Sequence, residues 1–346
     1  MAKYSYNGKD IRPVIDVYMS EFVSYFGGIT WREVYMDFEK FVKAYNTAKE
    51  YLTDYFKGLI NVPYPNVSLS YGHLASLGAS VTFPIDGEPN MSAFAGSIDE
   101  AIDILKASKG KDFSVNPLFQ HYMDMCGYFK EAFNESKFTF RGFGYQGPLT
   151  SAMLMRGQDF LYDIYDEPEK CKEYLRLMTD SIIDYAKFCR KINGESEFSN
   201  GFGICDDFAS MIPPDMWDDF VVPYLNQEYE GLSNGAFRHL HAENLTPKHL
   251  KYLPKVKLNN FQPSVADALT LQNVKENLDP GITLDWLLYG YVIIFMTDSE
   301  IEEWVDTTIK AGASVARTQI GALCFKHNKQ DIVFTFLKSF DKYLQS

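Results

Sequence analysis

The sequence predicts a single α/β domain, a (β/α)8 TIM barrel with a helical N-terminal extension. Three observations lead there. Short runs rich in β-branched and aromatic residues alternate with amphipathic helical stretches. Eight such runs succeed one another from Val67 onward. No long linker, low-complexity tract or repeat divides the 346 residues. Strands separated by helices of this length require parallel crossovers, and eight such units close a barrel. A doubly wound open sheet is the rival, disfavoured because no GxGxxG comes after the first strand-like run. The extension takes residues 1–60 and the barrel 61–346.

Within the extension, residues 31–59 place Val34, Phe38, Phe41, Val42 and Tyr45 at helical spacing. The strand-like runs are 67–71, 80–84, 137–143, 201–206, 237–243, 257–262, 282–286 and 314–320. Several helix ends are readable between them. Ser97 with Glu100, and Ser299 with Glu302, have the spacing of a capping box, and Gly312 closes the second of these helices. Thr246 precedes Pro247 at a first helical position, and Pro168 opens a long helix that stops near Asn193-Gly194.

Composition narrows the function. Lysine and arginine number 33 against 46 acidic residues, a net charge of −13, which repels phosphate backbones and argues against nucleic acid as a partner. Hydrophobic residues make up 46%, enough for a large core. The aromatic content, 27 Phe and 23 Tyr, also suits an aromatic-lined cavity. Five cysteines (126, 171, 189, 205, 324) form no close-spaced pair, which reads as free thiols in a reducing cytoplasm. The N-terminus lacks a signal-peptide layout, and the longest apolar run, residues 286–296, is too short to span a bilayer.

The segment Phe237 to Asn244 carries the chemistry. On a strand, alternate side chains point the same way, so His239, His241 and Glu243 share one face. The helix signal at Thr246-Pro247 places Glu243 at the strand's C-terminal end, the mouth where barrels do chemistry. Imidazole and carboxylate are good ligands for zinc or iron. His239 alone reads equally well as a hydrogen-bonded core residue, and Glu243 alone as a cap of the next helix. Cys324, just past the last strand, is a further candidate ligand at the same mouth. Cys126, Cys171 and Cys189 read as core, and His73, His121, His249 and His327 as loop or helix-surface residues.

Two further stretches resemble the uroporphyrinogen decarboxylase superfamily. One is Gly147-Pro148-Leu149-Thr150-Ser151-Ala152 with the MLMRG run after it and Glu167-Pro168-Glu169. The other is Asp206-Asp207-Phe208-Ala209-Ser210 ahead of PPDMWDDFVVPY. The similarity runs over most of 137–330, and Gly28 to Glu33 is similar to the opening of methyltransferase-like members. The zinc-dependent corrinoid methyltransferases of that superfamily carry a His-x-Cys pair at one strand end and a second Cys near the C-terminus. Those positions fall on His239-Leu240-His241 and on Cys324. The resemblance implies a zinc site drawn from His239, His241 and Cys324, to which strand alternation adds Glu243. The arginine-rich signature of porphyrin decarboxylases is not evident, which argues against a porphyrin substrate.

The resemblance and the donor set together imply methyl transfer. Exchanging a thiolate for imidazole or carboxylate hardens the site, which suits an oxygen leaving group. The expected reaction moves a methyl group from a methoxylated, aromatic substrate to cob(I)alamin on a separate corrinoid protein. No DxHxxG-type corrinoid module lies in this chain. Tyr145 or Asp207 would supply a proton, and Arg141, Phe143 and Arg317 would contact substrate. Phe138 and Phe140 read as core. The competing readings are a methylcobalamin:thiol methyltransferase, a metal-free decarboxylase-like enzyme, and a non-catalytic corrinoid-binding scaffold. Oligomeric state stays open, a homodimer included.

Overall fold

A computed structural model describes residues 3–264 and 268–345. Its strands are β1 (Tyr4–Tyr6), β2 (Lys9–Val17), β3 (Val81–Thr82), β4 (Asn90–Met91), β5 (Ser199–Cys205), β6 (Ser233–Glu243), β7 (Asn260–Ser264), β8 (Thr283–Leu288) and β9 (Val315–Ile320). The main sheet runs β1-β2-β9-β8-β7-β6-β5, and every pair from β2 through β9 to β5 is parallel. Between β5 and β2 the wall is completed by two extended segments. Leu69 bridges Phe143 in parallel, and Gly147 donates its N–H to the Cys205 carbonyl at 2.7 Å. Counting these segments, eight staves form a distorted (β/α)8 barrel.

The N-terminal extension carries the expected helices, Met19–Gly27, Trp31–Met36 and Phe38–Phe56, but a strand precedes them. Residues 9–17 are a barrel strand, paired with β9 from Arg12↔Val315 to Val17↔Ile320. Asn7 and Gly8, with φ of 51° and 75°, turn β1 onto β2 in an antiparallel hairpin. Asn-Gly supplies both positive-φ residues that such a tight turn demands. The expected helix over 31–59 is two helices, Trp31–Met36 and Phe38–Phe56, broken where Asp37 caps the second by accepting from the Lys40 N–H.

Other boundaries move for local reasons. Residues 80–84 contribute only β3, paired antiparallel with β4 outside the barrel. Residues 137–143 form no regular strand, because the Asn193 side chain takes the ladder's place. Its Oδ1 accepts from the Phe140 N–H and its Nδ2 donates to the Phe140 carbonyl. Thr297 rather than Ser299 caps the helix Asp298–Lys310, with Glu300 completing the box. Ser97 and Pro168 open the helices Ile98–Ser108 and Pro168–Ile192 as expected. Cys126 lies on the helix Pro117–Ala132, and Cys171 and Cys189 on Pro168–Ile192.

His73 is not a surface residue. It is 0% exposed, with Nε2 2.9 Å from Ser181 Oγ and Nδ1 without a partner among the described residues. Burial pushes its pKa down to about 3. In the unfolded chain an imidazole titrates near ~6.5. Below that pH the unfolded state takes up a proton that the folded ring refuses. This contribution to stability is therefore complete above about 6.5 and shrinks as the pH falls towards 3, by up to ~1.4 kcal/mol per pH unit. Urea unfolding between pH 7 and 4 should show a shallower acid slope for His73→Leu than for the parent. Equal slopes would assign the acid sensitivity to other groups.

Candidate metal and active site

The two segments that carry the family resemblance meet in space. Asp206, fully buried at the end of β5, accepts from the Leu149 and Thr150 N–H groups and from Thr150 Oγ1 at 2.7–3.1 Å, capping the helix Pro148–Arg156. Burial pushes its pKa up to about 7 against those bonds. Gly147 leaves the room this contact needs, since a Cβ there would stand 2.7 Å from Asp206 Cβ. Asp206 thus faces the helix layer, and Asp207, the next residue, reaches the barrel mouth beside β6.

There it meets His241 and Glu243. Ligand-capable atoms of Asp207, His241 and Glu243 all lie within 4.8 Å of one another. His241 Nε2 is 3.5 Å from Asp207 Oδ1, a buried oxygen with no hydrogen-bond partner among the described residues. Burial raises the Asp207 pKa; His241 opposes the rise and Glu243 adds to it. Two carboxylates and an imidazole, with one buried oxygen unsatisfied, are a donor set that a divalent ion would complete. The set is hard, of nitrogen and oxygen only, and it brings a divalent ion to formal neutrality.

The other expected ligands stand apart from this cluster. His239 shares the inward face of β6 one rung deeper, with Nδ1 2.5 Å from Asn260 Oδ1. Burial lowers its pKa, opposed by the Asn260 hydrogen bond. Cys324 lies on the short helix Ala322–Lys326, 1% exposed, and its thiol donates to the Gly321 carbonyl at 2.8 Å. Burial pushes that thiol up to about 12. The turn after β9 points the sulfur at its own backbone, so Cys324 does not join the three-residue cluster.

The expected substrate contacts are elsewhere too. Arg141 pairs with Glu135 at 2.7 Å and lies 4.4 Å over the Tyr64 ring. Phe143 is 3% exposed and packs on Tyr122, Phe119 and Phe140. Arg317 does point into the barrel, but Asp285 and Asp16 occupy its guanidinium at 2.7–3.2 Å. Tyr145 rests edge-on against Tyr185 of the helix Pro168–Ile192, and burial holds its hydroxyl far above the ordinary range.

Sequence reasoning places the neighbouring strand, β7, but misses the role of its polar face. In β6–β7 the register pairs His239 with Asn260, His241 with Gln262 and Glu243 with Ser264. His241 Nδ1 is 2.6 Å from Gln262 Oε1, and Ser264 Oγ donates to Glu243 Oε1 at 3.4 Å. Ser264 Oγ also meets the Tyr289 hydroxyl. The alternation Asn260, Gln262, Ser264 is visible in the sequence, but only the register shows what it faces.

The class that this fold and site define is a mouth-sited α/β-barrel enzyme. The chain belongs to the uroporphyrinogen decarboxylase (URO-D) family, whose model matches residues 13–320. Among solved structures it is similar to a methyltransferase from Methanosarcina mazei, with a TM-score of 0.66 and 14% identity over 98% of this chain and 95% of that one. Sequence comparison with curated proteins finds no match. No helix among the described residues is long and apolar enough to cross a membrane.

Proposed function

We propose that this protein is the methyltransferase component of a corrinoid-dependent system, holding zinc at Asp207, His241 and Glu243. On this reading it moves a methyl group from a methoxylated, aromatic substrate to cob(I)alamin on a partner corrinoid protein. The observation that carries the reading is the convergence of those three side chains from two strand ends at the barrel mouth. When bound there, a divalent ion supplies Lewis acidity toward a substrate oxygen. The chain's own residues set the rest. Asp207 and Glu243 bring negative charge that holds the ion. His241 offers Nε2 because Gln262 occupies its Nδ1. Cys324 bonds to the Gly321 carbonyl and stays out of the cluster, so the donor set is hard rather than thiolate-rich, and hardness favours an oxygen leaving group over a thiol.

The second reading, methyl transfer from methylcobalamin to a thiol, draws on the overall likeness to the Methanosarcina mazei methyltransferase. The third, metal-free decarboxylation of an acidic tetrapyrrole, draws on the family to which the chain belongs. One set of measurements separates them. Protein purified without added metal is analysed for zinc, then offered a methoxyarene with a cob(I)alamin-loaded corrinoid protein, or methylcobalamin with a thiol. Bound zinc with methylation of cob(I)alamin is the expected result. Thiol methylation alone would install the second reading, and decarboxylation by metal-free protein the third.

A further inference from the structure

The three inward positions at the end of β6 are each matched, on the adjacent strand β7, by a residue able to hydrogen-bond them. His239 faces Asn260, His241 faces Gln262, and Glu243 faces Ser264. From this ladder we infer that Gln262 is a positioning residue, which fixes His241 as its Nδ1–H tautomer so that the Nε2 lone pair is turned toward Asp207 and the ion. The inference rests on the metal reading above for its consequence, though not for its geometry.

Donor and acceptor capacities favour one tautomer. An amide oxygen can only accept, so with Gln262 Oε1 turned to the ring, the 2.6 Å contact with His241 Nδ1 is a hydrogen bond when the proton is on Nδ1. A neutral imidazole has one such proton, and Nε2 is then left with its lone pair. That is the nitrogen 3.5 Å from Asp207 Oδ1. Without the amide, the ring can carry its proton on Nε2 and donate it to the Asp207 carboxylate. That arrangement satisfies both groups and removes a metal ligand. Gln262 is itself 9% exposed and held in the middle of β7, paired with His241 of β6, so its amide does not share its acceptor freely with water. Asn260 repeats the geometry one rung deeper, where His239 is likewise held by Nδ1. The amides act on the ring by orientation, as outer partners of metal-bound histidines commonly do, and losing one typically costs ~10–100-fold in affinity or activity.

The test uses Gln262→Met, which keeps length and removes the acceptor, and Gln262→Glu, which restores one. Two readouts are taken. The tautomer of His241 is read in metal-free protein from the 15N shifts of its ring, with His241→Ala supplying the assignment. Cobalt(II) affinity is read from the absorption of the substituted protein. The parent should show Nδ1–H, and Gln262→Met should shift toward Nε2–H and bind cobalt(II) about 10–100-fold more weakly. Gln262→Glu should recover both. Parental tautomer and parental affinity in Gln262→Met would overturn the inference, as would a parent ring carrying its proton on Nε2. A parent that binds no cobalt(II) while keeping the Nδ1–H tautomer would sink the metal reading and leave the positioning role standing.

Discussion

Replacing Arg317 with methionine is expected to lower the unfolding free energy by about 3–5 kcal/mol, the penalty for stranding a buried charge. The guanidinium joins Asp285 and Asp16 across β8, β9 and β2. Burial works against its charge, but Asp285 and then Asp16 outweigh this and hold its pKa above the ordinary value. The two aspartates are not equivalent. The side chain of Asp285 is 4% exposed and that of Asp16 is 42% exposed, so solvent can replace Arg317 for Asp16 and not for Asp285. The loss therefore comes mainly from Asp285. Asp16→Asn should cost less than about 1 kcal/mol, as a water-screened pair does. Thermal unfolding would register Arg317→Met as a drop on the order of 10 °C. The double variant Arg317→Met with Asp285→Leu should recover part of it, because removing both charges leaves nothing stranded. A melting temperature within a degree or two of the parent's would show that water reaches Asp285, and the cluster would then be no more than a surface pair.

That cluster also explains one limit of reading this chain from sequence. Barrel interiors are usually packed with branched aliphatic layers. Here the inward positions of β2, β6, β7, β8 and β9 include Asp16, His239, Asn260, Asp285 and Arg317. Arg317 looks free to bind a substrate carboxylate as long as the neighbours of its strand are unknown. The strand β2 is hidden in the sequence for a different reason. Its Pro13 and charged residues blur the alternation, and only the Asn7-Gly8 turn before it marks the hairpin. Strands with plain alternation and a helix cap downstream, β5 through β9, are legible within a few residues. The second and third staves fall on the runs 67–71 and 137–143 but form only an isolated bridge, Leu69 to Phe143, and at Phe140 the Asn193 side chain takes the ladder's place.

The site is half legible for the same reason. Strand period puts His241 and Glu243 on one face at one rim, and no tertiary knowledge is needed for that. Asp207 reads from sequence as a proton donor, whereas the fold sets it against His241. The step from strand to cluster depends on Asp206 turning outward to cap Pro148–Arg156, which leaves the next side chain to face the mouth. Cys324 stays out of the cluster on a more local point. A residue in the first turn of a short helix can satisfy its thiol on the carbonyl three residues back, and this one does.

On the proposed reading, exchanging His241 for alanine should abolish tight zinc binding and, with it, methyl transfer. Loss of an outer hydrogen-bond partner already costs ~10–100-fold, so loss of a direct ligand from a set of three must cost more. Glu243→Gln and Asp207→Asn keep the size of each side chain and remove its charge. Each would leave the ion with a formal positive charge in a half-buried site, and each should weaken it by more than about 100-fold on the same comparison. Cys324→Ser is the informative contrast. A thiolate ligand lost here would empty the site, whereas a thiol bonded to Gly321 can be replaced by a hydroxyl that makes the same bond. Zinc content and turnover in Cys324→Ser should therefore stay within a few-fold of the parent while the other three variants lose both. The reverse pattern, zinc retained in Asp207→Asn and lost in Cys324→Ser, would mean that the turn after β9 rearranges to bring sulfur to the mouth. The metal centre would then be the softer, thiol-directed one, and the methoxylated substrate would fall with the hard donor set.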